Sequence, residues 1–234
     1  MIAQFAHNAS SLRQALLDLF FPPRCVVCRR TGEWFCATCR QAISQILPPI
    51  CDRCGRPLNR TECPYCQKFP MRIDGTRSVA FFEGTIRQAI HALKYDHRPE
   101  LAKPLGALLV DYFSAHPIPA DALVPIPLHP ERERARGYNQ ARLLAQELGR
   151  QCNLPVWGDV LTRTRHTRPQ VELDATDRRE NVREAFAATE RAGGARILLI
   201  DDVCTTGATM DACGQALQAR AAKSVWGLAV ARSR

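Results

Sequence analysis

Four apolar residues run directly into two adjacent carboxylates and then into a loop of hydroxyls and small residues at ILLIDDVCTTGAT, positions 197–209. Two ionised carboxylates side by side repel one another, and a closed core does not tolerate them unpaired. At the tip of a strand, Asp201 and Asp202 would instead accept hydrogen bonds from the hydroxyls of a ligand. The residues that follow, Thr205, Thr206, Gly207, Ala208 and Thr209, offer successive backbone N–H groups and hydroxyls to an anion, with the positive end of a helix dipole behind them. A vicinal diol carrying a phosphate, as in a ribose 5-phosphate, meets both demands. A P-loop requires GxxxxGK[ST], a run this sequence lacks. Cys204, inside the loop, reads as a small filler rather than a nucleophile, because no histidine partner for it is evident.

The second chemistry is sulfur. Eight of the 11 cysteines form four CxxC pairs within 42 residues: Cys25, Cys28, Cys36, Cys39, Cys51, Cys54, Cys63 and Cys66. Two thiolates three positions apart in a tight turn point at one ion, and two such pairs complete the tetrahedral sulfur shell of zinc. Eight thiolates therefore predict two structural zinc sites of four cysteines each, with no open position for water. Sequential pairing needs the shorter loops, and interleaved pairing stays open. A redox CxxC needs one pair rather than four. The opening residues lack the basic region of a secretory signal and carry Arg13 and Asp18 among their apolar positions, which predicts a cytoplasmic chain with reduced thiols rather than disulfides.

These groups need elements to carry them. At 234 residues and 46% apolar, the chain has material for one medium domain and a small module. Residues 1–70 read as an N-terminal helix, with Leu12, Leu16, Leu19 and Phe20 on one side, followed by a double zinc ribbon. Residues 71–234 alternate strand and helix patterns. SVAFFEG, ALVPIP, LPVWGDVL, ARILLIDD and SVWGLAVA read as strand regions, while TIRQAIHALKYD, ARLLAQELGRQ and ATMDACGQALQAR read as helices. Between them HPERERARGYNQ reads as a basic loop, and residues 163–183 as a long polar lid. The class is α/β, a mostly parallel sheet flanked by helices, whose ligands bind beyond the carboxyl ends of the strands. No apolar run is long enough to span a bilayer. The formal charge of +9 favours a polyanionic partner.

IDDVCTTGAT resembles the phosphoribosyl pyrophosphate signature of type I phosphoribosyltransferases. The whole chain is similar to the ComF family, ComFC-like members included, through LLDLFFPPRCVVC, the CxxC pairs, HALKY, VPIPLHPERERARGYNQ, TRTRHTRPQVEL and RRENVREAF, in that order. The resemblance implies that Asp201 and Asp202 hold the ribose hydroxyls and that Thr205 through Thr209 cradle the 5-phosphate; Ala208 departs from the Gly or Ser of many wider relatives. For the diphosphate and its Mg2+, the candidates are Lys94, Arg132, Arg134, Arg136 and Gly137, with Arg163 and Arg165, since guanidinium forks suit a diphosphate. Thr167, Gln170 and Asn181 are further polar candidates in the lid.

The resemblance also implies a part in DNA uptake during natural transformation, with single-stranded DNA and ComFA-type helicase and recombination proteins as partners. Trp34, Phe35, Tyr65 and Phe69 lie among Arg24, Arg29, Arg30, Arg40, Arg53, Arg56, Arg60 and Lys68, a mixture suited to stacking bases and neutralising phosphates. No residue is legible as a reader of the acceptor. A binder, a phosphoribosyltransferase acting on an unidentified nitrogen acceptor, and a non-catalytic scaffold all stay open at this point.

Overall fold

A computed structural model describes residues 22–165, 175–182 and 184–234. The expected N-terminal helix with Leu12, Leu16, Leu19 and Phe20 lies outside the described residues, as do Thr167 and Gln170 of the polar lid.

The sheet has four strands, β1 (Gly75–Phe81), β2 (Ala122–Pro125), β5 (Arg196–Cys204) and β6 (Ser224–Arg232), in the order β1-β6-β5-β2. Every pairing is parallel. β5 opens on four consecutive buried apolar residues, Ile197, Leu198, Leu199 and Ile200, as a strand covered on both faces requires. One face carries α3 (Gly84–Tyr95), α4 (Ala102–Ala115) and α6 (Gln140–Cys152), following α1 (Ala37–Gln41) and α2 (Pro64–Lys68) of the ribbon region. On that face Ile86, Leu93, Leu105, Leu109, Leu144 and Leu148 pack on Leu198, Ile200, Leu228 and Val230. On the other, α8 (Ala208–Gln218) and a hairpin of β3 (Leu161–Arg163) and β4 (Phe186–Ala188) pack Met210, Cys213, Leu217 and Phe186 on Ile197, Leu199, Val225 and Ala229. The alternation along β5 assigns 198 and 200 to the first face, 197 and 199 to the second.

Three expectations need correction. HPERERARGYNQ is largely helix, α5 (Pro130–Arg136), rather than loop. Its cues are local: His129 caps Glu131 N, Pro130 occupies the first turn, Glu131 and Glu133 precede Arg134 and Arg136, and Gly137 closes it in the left-handed region at φ 84°. The lid region is not uniformly irregular either, since α7 (Ala175–Val182) lies within it. LPVWGDVL contributes a bridge from Val156 to Leu123, and strand begins only at its last residue, Leu161.

The cysteine region clips onto the edge strand β1. Gln45 bridges Ala80 antiparallel, Ile46 N donates to Val79 O, and Thr76 N donates to Arg53 O. Gly55, at φ 66°, permits this approach, because a Cβ there would stand 2.5 Å from Thr76 O. Cys25, Cys36, Cys39 and Phe35 join the core on the helical face, while Cys51 and Cys54 join that of the other face. The two ribbons thus straddle the sheet edge. No described helix is long and apolar enough to cross a membrane.

Candidate functional site

The carboxyl ends of β2 and β5, together with α3, α5 and the start of α8, enclose a cleft of about 760 Å³. Asp201 and Asp202 lie near the carboxyl end of β5, where Asp201 pairs with Ala229 of β6 and Cys204 with Arg232. Their side chains alternate across the sheet. Asp202, 2% exposed, faces the first layer, where Lys94 Nζ of α3 lies 2.5 Å from Oδ2 and Gln140 Nε2 of α6 donates to Oδ1 at 3.4 Å. Burial alone would raise the Asp202 carboxyl, but the Lys94 charge and the donors around it outweigh that and hold it below the ordinary value. Asp201 has the reverse balance: burial and the neighbouring Asp202 charge push it well above. Its Oδ1 accepts from Asp202 N at 2.8 Å. Burial works against the Lys94 ammonium, yet the two carboxylates carry it above its usual value. One firmly ionised and one proton-hungry carboxylate is an arrangement that accepts hydroxyl donors at one oxygen pair and exchanges a proton or a cation at the other.

Beyond the acids, Thr205, Gly207 and Thr209 line the cleft. Gly207 adopts φ 79° as the N-cap of α8, a conformation glycine takes at no cost. Thr206 and Ala208 are buried at 8% and 3% exposure, and Thr206 Oγ1 accepts from Ala208 N at 3.3 Å. The Thr206 hydroxyl is therefore turned onto the first N–H of α8 and is not among the groups that line the cleft. Cys204 is buried, its thiol raised by burial, as a filler residue would be.

The cationic candidates separate. Arg132, Arg136 and Arg163 line the cleft with Lys94. Lys94 sits against the acid pair rather than among the arginines. Arg134 is exposed on α5, its Nε donating to Pro130 O at 3.4 Å, and is not among the lining residues. Arg165 donates to Asn181 O at 3.3 Å, also away from the lining, and Gly137 serves as the C-cap of α5. Sequence reasoning gave no role to Gln140, Asn139, His91 or Tyr95. Asn139 caps α6, accepting from Ala141 N at 2.9 Å and donating to Ile126 O at 3.0 Å, which aims Gln140 at Asp202. The Asn-Gln pair ahead of an apolar helix was the available signal. His91 and the half-exposed Tyr95, on the same helix as Lys94, also line the cleft, rings 4.6 Å apart.

The eight ribbon cysteines gather as Cys25, Cys28, Cys36, Cys39 and as Cys51, Cys54, Cys63, Cys66, so pairing is sequential. Sulfur separations of 3.6 Å for Cys28 to Cys36, 3.7 Å for Cys51 to Cys66 and 3.6 Å for Cys54 to Cys63 are far beyond a disulfide of about 2.05 Å. They fit the edge of a tetrahedron, about 3.8 Å for Zn–S of about 2.3 Å. Backbone N–H groups overcome burial to hold Cys25 at about 6. Burial, then the neighbouring sulfurs, push Cys39 up to about 12. Only a dication lets all four ionise together.

Residues 16–70 match the double zinc ribbon domain. Along most of its length the chain is 31% identical to competence protein F of Haemophilus influenzae, covering 90% of this chain and 98% of that protein. The chain belongs to the ComF family. A second ComF-like relative is the DNA utilization protein YhgH of Escherichia coli K12, 32% identical over 89% of this chain and 97% of that protein. Among solved structures, the glutamine phosphoribosylpyrophosphate amidotransferase of Bacillus subtilis, complexed with ADP and GMP, superposes on the ComF chain with a TM-score of 0.41 and 17% identity. The superposition covers 59% of this chain and 30% of that one, a likeness too slight to bear on function.

Proposed function

We propose that this ComF chain is a cytoplasmic factor of DNA uptake that binds phosphoribosyl pyrophosphate with Mg2+ in the cleft and single-stranded DNA on its basic surface. The observation that carries the sugar half is the joining, in one cleft, of the acid pair, Lys94 and the loop from Thr205 to Thr209. Asp201 and Asp202 take the ribose hydroxyls, the loop takes the 5-phosphate, and Arg132, Arg136 and Arg163 face the diphosphate. Mg2+ supplies charge neutralisation on the diphosphate, and the half-buried Asp201 carboxylate is the hard oxygen donor that suits it. Titration calorimetry with phosphoribosyl pyrophosphate and Mg2+ tests this. The wild-type chain should give a saturable isotherm, and the Asp201→Asn, Asp202→Asn double variant should lose it; equal binding by both removes the reading.

The DNA half rests on charge and on the names of the relatives, a competence protein and a DNA utilization protein. Of the aromatic candidates, Phe35 is fully buried and Tyr65 is engaged by the phosphate loop, so neither serves as a stacking platform. Trp34 keeps partial exposure beside Arg98, 5.1 Å from its ring, with exposed Arg24, Arg29 and Arg30 on the same ribbon. Single-strand affinity should fall steeply with salt and drop on alanine substitution of Arg24, Arg29 and Arg30. No binding at about 50 mM salt removes this half. The helicase and recombination proteins implied by family resemblance would take over the strand.

A transferase reading is favoured by the size of the cleft, about 760 Å³, and by its lining of His91, Tyr95 and Phe82. Such a site has room for an acceptor opposite the sugar. The acceptor nitrogen would bond to C1 as the C1–O bond to diphosphate breaks, and the acceptor proton would leave to a base. Release of pyrophosphate from a panel of nitrogen acceptors decides it.

A further inference from the structure

The second zinc ribbon touches the phosphate loop at two backbone atoms. Arg56 Nη2 donates to Thr205 O at 3.0 Å, and Tyr65 Oη donates to Thr206 O at 2.6 Å. The donors brace each other, with the Arg56 guanidinium 4.1 Å from the Tyr65 ring centre. Each donor rides on a different knuckle of one metal cluster. Arg56 follows Cys54 by two residues, in a turn closed by Cys51 N donating to Arg56 O at 2.7 Å. Tyr65 stands between Cys63 and Cys66 on α2. The ion that joins Cys51 and Cys54 to Cys63 and Cys66 therefore also fixes the two donors relative to one another.

Peptide geometry converts this grip into ligand geometry. In a trans peptide the C=O of one residue and the N–H of the next point in opposite directions. Holding the Thr205 and Thr206 carbonyls on the ribbon side fixes the two peptide planes that carry the Thr206 and Gly207 N–H groups, in a loop whose Thr205 and Gly207 line the cleft. Met71, packed in the same core as Cys51 and Cys54, also reaches this loop, with its Cε 3.2 Å from the place a Gly207 Cβ would occupy.

Charge supports the same link. A Zn2+ ion with four thiolates carries two net negative charges. Arg232 is 1% exposed and donates Nη1 to Cys54 O, beside the same cluster. Nε of both Arg56 and Arg232 is buried without a hydrogen-bond partner. Two guanidinium groups so placed match the tetrathiolate cluster on one side and the phosphate loop on the other.

We propose that the second zinc ribbon is part of the sugar-phosphate site: Arg56 and Tyr65 are positioning residues for the phosphate loop, and affinity for the 5-phosphate depends on metal in the Cys51, Cys54, Cys63, Cys66 cluster but not in the first. This rests on the sugar-phosphate reading given above. The test uses the full, zinc-loaded chain and two separate probes, ribose 5-phosphate and inorganic pyrophosphate. Tyr65→Phe and Arg56→Gln should each keep both zinc ions and lose about threefold to tenfold in ribose 5-phosphate affinity, the worth of one hydrogen bond. Pyrophosphate affinity should not move, and Arg56→Lys, which keeps a donor, should recover part of the loss. Cys28→Ser, in the first cluster, should lower zinc content and leave ribose 5-phosphate affinity intact. A wild-type chain that binds neither probe overturns the sugar reading and this proposal with it. Wild-type binding with variants that bind ribose 5-phosphate equally well, or lose both probes together, overturns this proposal alone.

Discussion

Asp201 and Asp202 are neighbours in sequence with opposite electrostatic fates. Asp202 has the Lys94 ammonium at 2.5 Å, while Asp201 has burial and a like charge beside it. A carboxyl raised in the folded state favours folding while protonated, and that advantage is lost as pH rises through its folded value. Asp201 is therefore a cost at neutral pH. Asp201→Asn should stabilise the chain by on the order of 1 kcal/mol at neutral pH, measured by urea unfolding. The gain should vanish below about pH 4, where the unfolded carboxyl is also protonated. The same variant should weaken sugar binding, so stability and affinity should move in opposite directions. The acid pair was legible in sequence because adjacent carboxylates after an apolar strand have few structural uses. Which of the two would be ionised was not legible, since that depends on Lys94, which lies 108 positions from Asp202 and meets it only in the fold.

At the scale of elements, α5 shows a helix hidden by its own charge. Its seven residues contain no buried side chain, so no apolar periodicity marks it. Its caps do, and the left-handed Gly137 with open space around it is the clearest. Gly137→Ala should cost about 1 kcal/mol through backbone strain alone, read from thermal unfolding. By loosening the end of α5 that carries Arg136, it should also weaken pyrophosphate binding. The zinc ribbons are the opposite case: CxxC spacing announced them, and the fold added only the sequential pairing. Their contact with the loop at Thr205 and Thr206 had no sequence signal. Arg56 and Thr205 are 149 positions apart, Tyr65 and Thr206 141 apart, and short-range spacing says nothing about such contacts.

Across the whole molecule, the ribbons cover the β1 edge and contribute to the cores on both faces. An uncovered edge strand is a template for pairing with other chains. Chelation should therefore do more than empty two metal sites. It should convert a monodisperse chain into one that self-associates, visible by light scattering, and zinc added before association should reverse the change. If the metal-free chain stays monodisperse with unchanged thermal unfolding, the ribbons are an appendage rather than a clamp.

The strand order has a consequence for how such a chain is made. β6 is synthesised last of the elements described, yet it lies between β1 and β5 and is hydrogen-bonded to both. Until residues 224–232 leave the ribosome, the ribbon-clipped strand and the acid-bearing strand have no shared backbone. A message stopped early would yield a metal-loaded module tethered to an unfinished sheet. The sheet that positions the cleft is thus complete only when this segment has been translated, which leaves truncated products with an unfinished sheet and open to proteolysis.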